Sequence, residues 1–168
     1  MVERWLISDT HFCHKKIIEF EFEHRPFYHI DFHDEALIEN WNSVVKPQDK
    51  IYHLGDFVFG KTNIARIASR LNGHKRLILG NHEQHDMKFY LPFFEKIYSS
   101  FSLKVSNDKK AILTHIPVHT DQLKTRYNYN IHGHYHHNIV GDDRYINVSC
   151  EQINLTPINW DELLKRMK

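Results

Sequence analysis

Five short segments, far apart in the sequence, each combine a metal-binding residue type with the end of an apolar stretch. They are Asp9-Thr10-His11, Gly55-Asp56, Gly80-Asn81-His82, Thr114-His115 and Gly133-His134-Tyr135-His136. Side chains two apart in an extended segment lie on the same side, so Asp9 and His11 can bind one ion together. The same spacing relates His134 and His136. Imidazole and carboxylate groups are ordinary ligands of divalent transition metals, so the five segments together predict a metal site.

Strands must bring these segments together, because ligands of an α/β sheet collect at the carboxyl ends of its strands. The stretch from Ile51 to Phe57 is typical of a buried strand that breaks at Gly55, and Asp56 follows the break. Further strands are predicted over residues 4–8, 75–79, 101–105, 111–114, 129–132 and 144–148.

Helices are predicted where apolar residues recur at spacings of three and four. They are expected over residues 14–22, 34–45, 64–71 and 87–97, and from residue 160 onward. Thr62 or Asn63 is the expected cap of the third helix, and Asn159 that of the last. The sequence therefore predicts one α/β domain, residues 1–168, with a mostly parallel half followed by a mostly hairpin half.

The composition is that of an ordinary globular protein, with 168 residues, 41% of them hydrophobic, and a net charge of +1. This charge provides no overall field that would attract nucleic acid. The 15 histidines are numerous and raise the prior for a metal site. Two cysteines without CxxC spacing, and no secretion signal or membrane-spanning run, predict a cytoplasmic protein that does not bind membranes.

In this order the five segments resemble the calcineurin-like metallophosphoesterase superfamily, whose motifs are D-x-H, G-D, G-N-H-[DE], H and G-H-x-H. The resemblance spans residues 9–136. The opening S-D-T-H-F-x-H, the Y-H-L-G-D-F block and the N-V-S-x-E end are similar to the small, uncapped bacterial and phage-type members. The resemblance implies a four-layer α/β/β/α sandwich with a dinuclear metal site at the carboxyl-terminal edge of the strands.

The resemblance also implies a role for each matching residue. Six residues would each bind one of two ions: Asp9, His11 and His136 the first, and Asn81, His115 and His134 the second. Asp56 would bridge both, holding them about 3.5–4 Å apart as two-metal hydrolysis requires. Mixed nitrogen and oxygen ligands suit transition metals. We therefore expect two divalent ions, with Mn²⁺ favoured and Fe, Zn²⁺, Co²⁺ or Ni²⁺ as alternatives.

Further residues are expected beside the metals. By resemblance, His82 is the catalytic residue, which stabilises charge on the phosphate or protonates the leaving oxygen. Glu83 would orient the His82 ring. Arg25 would clamp a phosphate or, equally, form an ion pair that anchors its loop. His14 would support the metal ligands or contact substrate, and His53 would hold a ligand by a hydrogen bond or simply pack.

The implied activity is phosphoester hydrolysis by in-line attack of metal-activated hydroxide. A small or nucleotide-derived phosphodiester is the favoured substrate. A nuclease or RNA-processing enzyme is an alternative, which a local patch of basic residues between positions 104 and 126 would serve. A scaffold without chemistry is a third class, and the intact ligand set argues against it. The protein is expected to be a monomer or a homodimer that forms through the aromatic helix near Phe89–Phe94.

Overall fold

The computed structural model describes residues 1–167, which form two β-sheets and five α-helices. The strands are β1 (Arg4–Ile7), β2 (Lys50–His53), β3 (His74–Ile78), β4 (Lys96–Tyr98), β5 (Phe101–Lys104), β6 (Lys110–Leu113), β7 (Tyr129–His132), β8 (Tyr145–Asn147) and β9 (Ile158–Asn159). One sheet has the order β4-β3-β2-β1-β9 and the other the order β5-β6-β7-β8. The predicted α/β class is therefore confirmed.

Parallel pairing dominates both sheets. In the first, β1, β2, β3 and β4 are parallel, and β9, which was not predicted, joins β1 in the antiparallel sense. In the second, β5 and β6 form the expected hairpin, but β6, β7 and β8 are parallel. The prediction of a mostly hairpin second half is thus wrong. The connections over residues 114–128 and 133–144 are long enough for parallel crossovers, which need roughly a dozen residues or more.

The helices are α1 (Ile17–Phe20), α2 (Ile30–Val44), α3 (Lys61–Ala68), α4 (Gln122–Thr125) and α5 (Trp160–Arg166). The α5 helix begins as predicted, because the Asn159 side chain accepts a hydrogen bond from the Asp161 N–H at 2.9 Å. The α2 helix begins four residues before its predicted start, after His29, whose ring accepts from the Asp31 N–H. The α3 helix follows Gly60 rather than the predicted caps Thr62 or Asn63.

The helix predicted over residues 87–97 is wrong. A short 3-10 helix, Met87–Phe89, is followed by turns and then by β4. Pro92 explains the break, since proline lacks an N–H donor and disfavours helical geometry in the residue before it. Tyr90 and Phe94 are buried in the core, where Phe94 packs edge-to-face on Phe57 at 5.2 Å. Those two rings therefore cannot carry the predicted dimer contact.

Residues from both sheets form one apolar core, including Leu6 and Leu77 from the first sheet and Leu113 and Ile131 from the second. The sheets also touch where β1 ends, through a parallel bridge between Ser8 and Ser149. Loops that follow strands of both sheets therefore meet at one place. Across residues 1–167, no helix is long and apolar enough to cross a membrane.

Candidate metal centre

The first group of predicted ligands comes together after β1 and β7. Asp9, His11 and His136 each offer a ligand atom within 4.8 Å of the others. The Asp9 Oδ1 atom lies 3.9 Å from His11 Nε2 and 3.9 Å from His136 Nε2. Asp9 Oδ1 and His11 Nε2 are buried and have no hydrogen-bond partner within residues 1–167. Such atoms are rare in folded proteins, and a cation between them would satisfy both.

The second group joins loops after β2, β3, β6 and β7. Asp56, His115 and His134 offer ligand atoms within 4.8 Å of one another. The Asn81 Oδ1 atom lies 2.9 Å from His115 Nε2, which brings the fourth predicted residue into the same group. The other ring nitrogen of His115 lies 2.8 Å from the Leu54 carbonyl, and this contact fixes the orientation of the ring.

Asp56 lies between the two groups. Its Oδ2 atom is 3.5 Å from His11 Nε2 in the first group and 3.3 Å from His115 Nε2 in the second. Burial alone would raise the pKa of the Asp56 carboxyl, but its hydrogen bond and charge interaction with His115 hold the pKa well below its usual range. Asp56 is therefore an anion at neutral pH.

Five of the seven predicted ligands have left-handed backbone geometry. Their φ angles lie between 47° and 67°, and they are Asp9, His11, Asp56, His134 and His136. L-residues other than glycine rarely adopt this region, and such strain is concentrated at functional sites. The turns after three strands thus direct ligand side chains toward one point at a cost in backbone energy.

Hydrogen bonds fix one oxygen of Asp9 and leave the other free. The Oδ2 atom accepts from the backbone N–H of His134 and from the Ser149 hydroxyl, both at 2.9 Å. Only Oδ1 then faces the two histidines of the first group. Ser149 was not among the predicted site residues, although it lies in the N-V-S-x-E segment that contributed to the resemblance.

Arg25 forms hydrogen bonds inside the protein. Its side chain is fully buried, and its guanidinium bonds to the carboxylate of Glu151 at 2.7 Å and to the carbonyls of Asp9 and Thr10 at 2.5 and 3.1 Å. Every one of these contacts is internal, so they give no support to the predicted phosphate clamp, which stays a prediction. The alternative that we retained, an ion pair that anchors a loop, fits, except that the pair is buried.

Glu151 is a residue that sequence reasoning missed. Its Oε1 atom lies 3.0 Å from Nδ1 of His136, which leaves the His136 Nε2 atom facing Asp9. Burial alone would raise the pKa of Glu151, but the hydrogen bond with His136 and the charge of Arg25 lower it to about 2. A carboxylate behind a ligating histidine fixes the ring and its tautomer. The signal that could have identified Glu151 is its position as the glutamate that ends the N-V-S-x-E segment.

Glu83 supports the backbone and does not contact the His82 ring. Its carboxylate accepts hydrogen bonds from the N–H groups of Asp56, Phe57 and Gly80 at 2.9, 2.8 and 2.6 Å. The prediction that Glu83 orients the His82 ring is thus wrong. Instead, Glu83 ties the loop that contains Asp56 to the loop that contains Asn81.

His53 also supports the backbone. One ring nitrogen accepts from the Gly55 N–H at 3.2 Å, and the other lies 2.9 Å from the Thr10 hydroxyl. Burial lowers the pKa of His53 to about 3, so the ring is neutral. Of the two roles considered for His53, hydrogen bonding applies, but to loops rather than to a ligand side chain.

His82 and His14 line the side of the site that solvent reaches. The His82 side chain is 35% exposed and its Nε2 lies 3.9 Å from Asp56 Oδ2. His14 Nδ1 lies 3.3 Å from His11 Nδ1, and the His14 ring stacks on Phe59 with centroids 4.1 Å apart. His14 thus holds the far nitrogen of His11, which leaves His11 Nε2 directed at the buried carboxylates.

The two groups together fit divalent transition metals. Their donors are imidazole nitrogens and carboxylate or amide oxygens, a set that suits such ions better than the oxygen-only ligands typical of Ca²⁺. The two buried atoms without partners point to the same conclusion. The fold and this site define an α/β protein with histidine and carboxylate groups able to bind metal.

No protein-family model matches the chain. It is 33% identical to uncharacterized protein MJ1445 from Methanocaldococcus jannaschii, over 96% of this chain and 89% of that one. It is 29% and 30% identical to the gene 66 proteins of Mycobacterium phages L5 and D29, over 99% and 95% of this chain and 91% and 90% of theirs. The chain belongs to the same family as MJ1445 and the phage D29 gene 66 protein.

A solved structure supports the fold. The protein of unknown function AQ665 from Aquifex aeolicus is 30% identical with a TM-score of 0.80, over 98% of this chain and 99% of that chain. A Vps29 single mutant from Entamoeba histolytica is a remote match, 18% identical with a TM-score of 0.45 over 86% of this chain and 72% of that chain. Similarity at that level bears on neither fold nor function.

Proposed function

We propose that the chain is a metal-dependent phosphoesterase with two divalent ions, acting on a small or nucleotide-derived phosphodiester. The observation that carries the proposal is the position of Asp56, whose Oδ2 lies within 3.5 Å of one nitrogen in each ligand group. A single shared carboxylate is what two-metal hydrolysis of phosphoesters uses. The order of the five motif segments supports the same reaction class.

Seven side chains of the two groups would hold the ions: Asp9, His11, Asp56, Asn81, His115, His134 and His136. When bound, such ions lower the pKa of water and offset the charge that develops on a phosphoryl group. Residues behind the ligands then serve to keep them in place. Ser149 and Glu151 orient Asp9 and His136, and Glu83 holds the backbone around Asp56.

His82 is the residue proposed to act on substrate. Its backbone N–H donates to Asp56 Oδ1 at 2.9 Å, which positions it beside the shared carboxylate, while its ring remains partly exposed. From there the ring can donate a hydrogen bond to a phosphoryl oxygen or a proton to the leaving oxygen. No covalent bond between enzyme and phosphorus is needed.

Two open clefts adjoin the site and favour a diester. One, of about 220 Å³, includes His82 and Phe59. The other, of about 300 Å³, includes Asn81 and His115. A phosphodiester has two organic substituents, and each cleft offers room for one of them, whereas a monoester would use only one.

The test is hydrolysis of bis-p-nitrophenyl phosphate and of the monoester by metal-stripped protein with Mn²⁺ added back. We expect Mn²⁺-dependent hydrolysis that prefers the diester and is lost in both His82→Ala and Asp56→Asn. Exposed His119→Ala serves as the control and should retain activity. An inactive wild type that binds two ions would contradict the proposal and favour a scaffold. Salt-sensitive cleavage of single-stranded nucleic acid would favour the nuclease alternative.

A further inference from the structure

A second cluster of metal-binding residue types lies outside the site described above. Glu21, His24 and His137 each offer a ligand atom, and these atoms lie within 4.8 Å of one another. Glu21 directly follows α1, and His24 comes three residues later in a turn in which the His24 N–H donates to the Glu21 carbonyl. A spacing of three places both side chains on one side of such a turn. His137 comes from the loop after β7.

The cluster is arranged around one oxygen of Glu21. His137 Nδ1 lies 2.8 Å from Glu21 Oε2, and His24 Nδ1 lies 3.8 Å from the same atom. The two rings are stacked, with centroids 5.0 Å apart and planes 4° from parallel. The first distance fits a hydrogen bond, but the second is too long for one. The Nδ1 atoms of both rings therefore face the same Glu21 oxygen, but only the Nδ1 atom of His137 is close enough to form a hydrogen bond with it.

The surroundings add negative charge. Glu21 belongs to a further group with His136 and Glu151, whose ligand atoms also lie within 4.8 Å of one another. Two carboxylates so close repel each other unless positive charge lies between or beside them. Arg25 pairs with Glu151, while Glu21 contacts the imidazoles of His24 and His137. A dication beside Glu21 would therefore be favoured electrostatically.

We infer that Glu21, His24 and His137 form a separate mononuclear site for a divalent ion of the Zn²⁺ class. Two imidazoles and one carboxylate are a common three-ligand set for zinc, with a fourth position left to water. The side chains of His24 and His137 are 39% and 43% exposed, so water can reach that fourth position. The three ligand atoms already lie within 4.8 Å of one another.

An ion here would join two segments that support the main site. The turn that contains Glu21 leads directly into Arg25, which binds the Asp9 carbonyl. The loop that contains His137 also contains the main-site residue His136, and Gln152 binds both of their carbonyls. The third ion therefore fixes the first ligand group from outside, without contacting substrate. Its role is structural, and the proposed chemistry does not depend on it.

The test is zinc stoichiometry, measured by equilibrium dialysis and metal analysis of the full chain at neutral pH. We expect His24→Gln and His137→Gln each to bind one Zn²⁺ fewer than the wild type. His119→Gln is the matched control, because His119 is an exposed histidine 3.4 Å from a carboxylate, that of Asp121. It should bind as many ions as the wild type. Equal binding by the wild type and both cluster variants would overturn the inference.

A second variant separates this site from the main one. Asp56→Asn removes the shared carboxylate and should lose ions from the main site while keeping the one at Glu21. If the main site binds no metal at all, the wild type would bind a single ion that Asp56→Asn retains and His137→Gln loses. Loss of that ion in Asp56→Asn as well would contradict the existence of a separate site. Melting temperatures of the metal-free variants, which should match the wild type, verify that each is folded.

Discussion

The Oδ1 atom of Asp9 and the Nε2 atom of His11 lie 3.9 Å apart, buried and without hydrogen-bond partners among residues 1–167. Each buried polar group left in this state costs about 1–3 kcal/mol. The surrounding structure does not relieve this cost, because Ser149 and the His134 N–H bind the other oxygen of Asp9. A cation between the two atoms would relieve it, so the metal-free protein is expected to be less stable than the metal-bound one.

Metal should therefore stabilise the fold, and Asp9 should be needed for this. Addition of Mn²⁺ at about 100 times its Kd is expected to add about 2.7 kcal/mol to the free energy of unfolding. Asp9→Asn should show a much smaller gain, because the amide is a weaker ligand. Asp142→Asn, which changes a carboxylate paired with Arg144 at the surface, should respond like the wild type. Thermal unfolding with and without Mn²⁺ measures this, and equal gains in all three proteins would rule the idea out.

Metal binding should release protons at mildly alkaline pH. Burial lowers the pKa of His115, but its hydrogen bond with Asp56 raises the pKa to about 9 overall. At pH 8 the ring is thus protonated in the metal-free protein, and an ion must displace that proton. Affinity should accordingly fall as pH drops below 9, by roughly tenfold per pH unit for one such group.

Calorimetry in buffers of different ionisation enthalpy counts the protons released. We expect a strong buffer dependence of the binding heat at pH 8, which weakens near pH 10 where His115 is already neutral. Burial alone would lower the pKa of His136, but its hydrogen bond with Glu151 raises it overall, so a proton displaced from His136 would contribute in the same direction. Binding heats that are the same in every buffer at pH 8 would refute this prediction.

The buried Arg25–Glu151 pair should matter to stability rather than to substrate affinity. Arg25→Met leaves a buried carboxylate short of its partner and is expected to lower the free energy of unfolding by about 3–5 kcal/mol. Arg70→Met is the matched control, because Arg70 pairs with Glu35 on the surface and such pairs contribute about 1 kcal/mol or less. Urea unfolding measures both changes. If the Arg25→Met protein were as stable as the wild type and had a raised KM, the result would instead support the predicted contact between Arg25 and a phosphate group of the substrate.

The sequence predicted which residues gather at the site better than it predicted what supports them. Segments such as Asp9-Thr10-His11 could be recognised because the ligands of a metal site must be particular residue types at particular spacings. Supporting residues obey no such spacing. Arg25 and Glu151 are 126 positions apart, and nothing in the local sequence of either indicates that they meet.

Glu83 illustrates a second reason why the residues that support the site are hard to predict from the sequence. Its place after His82 suggested a contact between the two side chains, but the turn at Gly80 directs the carboxylate back to backbone N–H groups. In the fold as a whole, the missed parallel pairing of β6, β7 and β8 has a similar origin. Strand direction depends on how the connecting segments cross the sheet, and apolar patterning within each strand does not record it.

Gly133 allows a last test of how closely the two sheets meet at the site. A Cβ atom there would lie 2.0 Å from Ser8 Oγ and 2.3 Å from Asp9 Oδ2. The Asp9 oxygen belongs to a predicted metal ligand and cannot move without breaking its hydrogen bonds with the His134 N–H and the Ser149 hydroxyl. Gly133→Ala is therefore expected to lower metal affinity at least tenfold (about 1.4 kcal/mol) and to reduce stability.

Gly141→Ala is the control, because a Cβ at Gly141 meets no atom within 4 Å among the described residues. Metal titration and thermal unfolding of both variants decide the matter. Unchanged affinity in Gly133→Ala would mean that Asp9 is not held by this close approach, and the proposed geometry of the first ligand group would have to be revised.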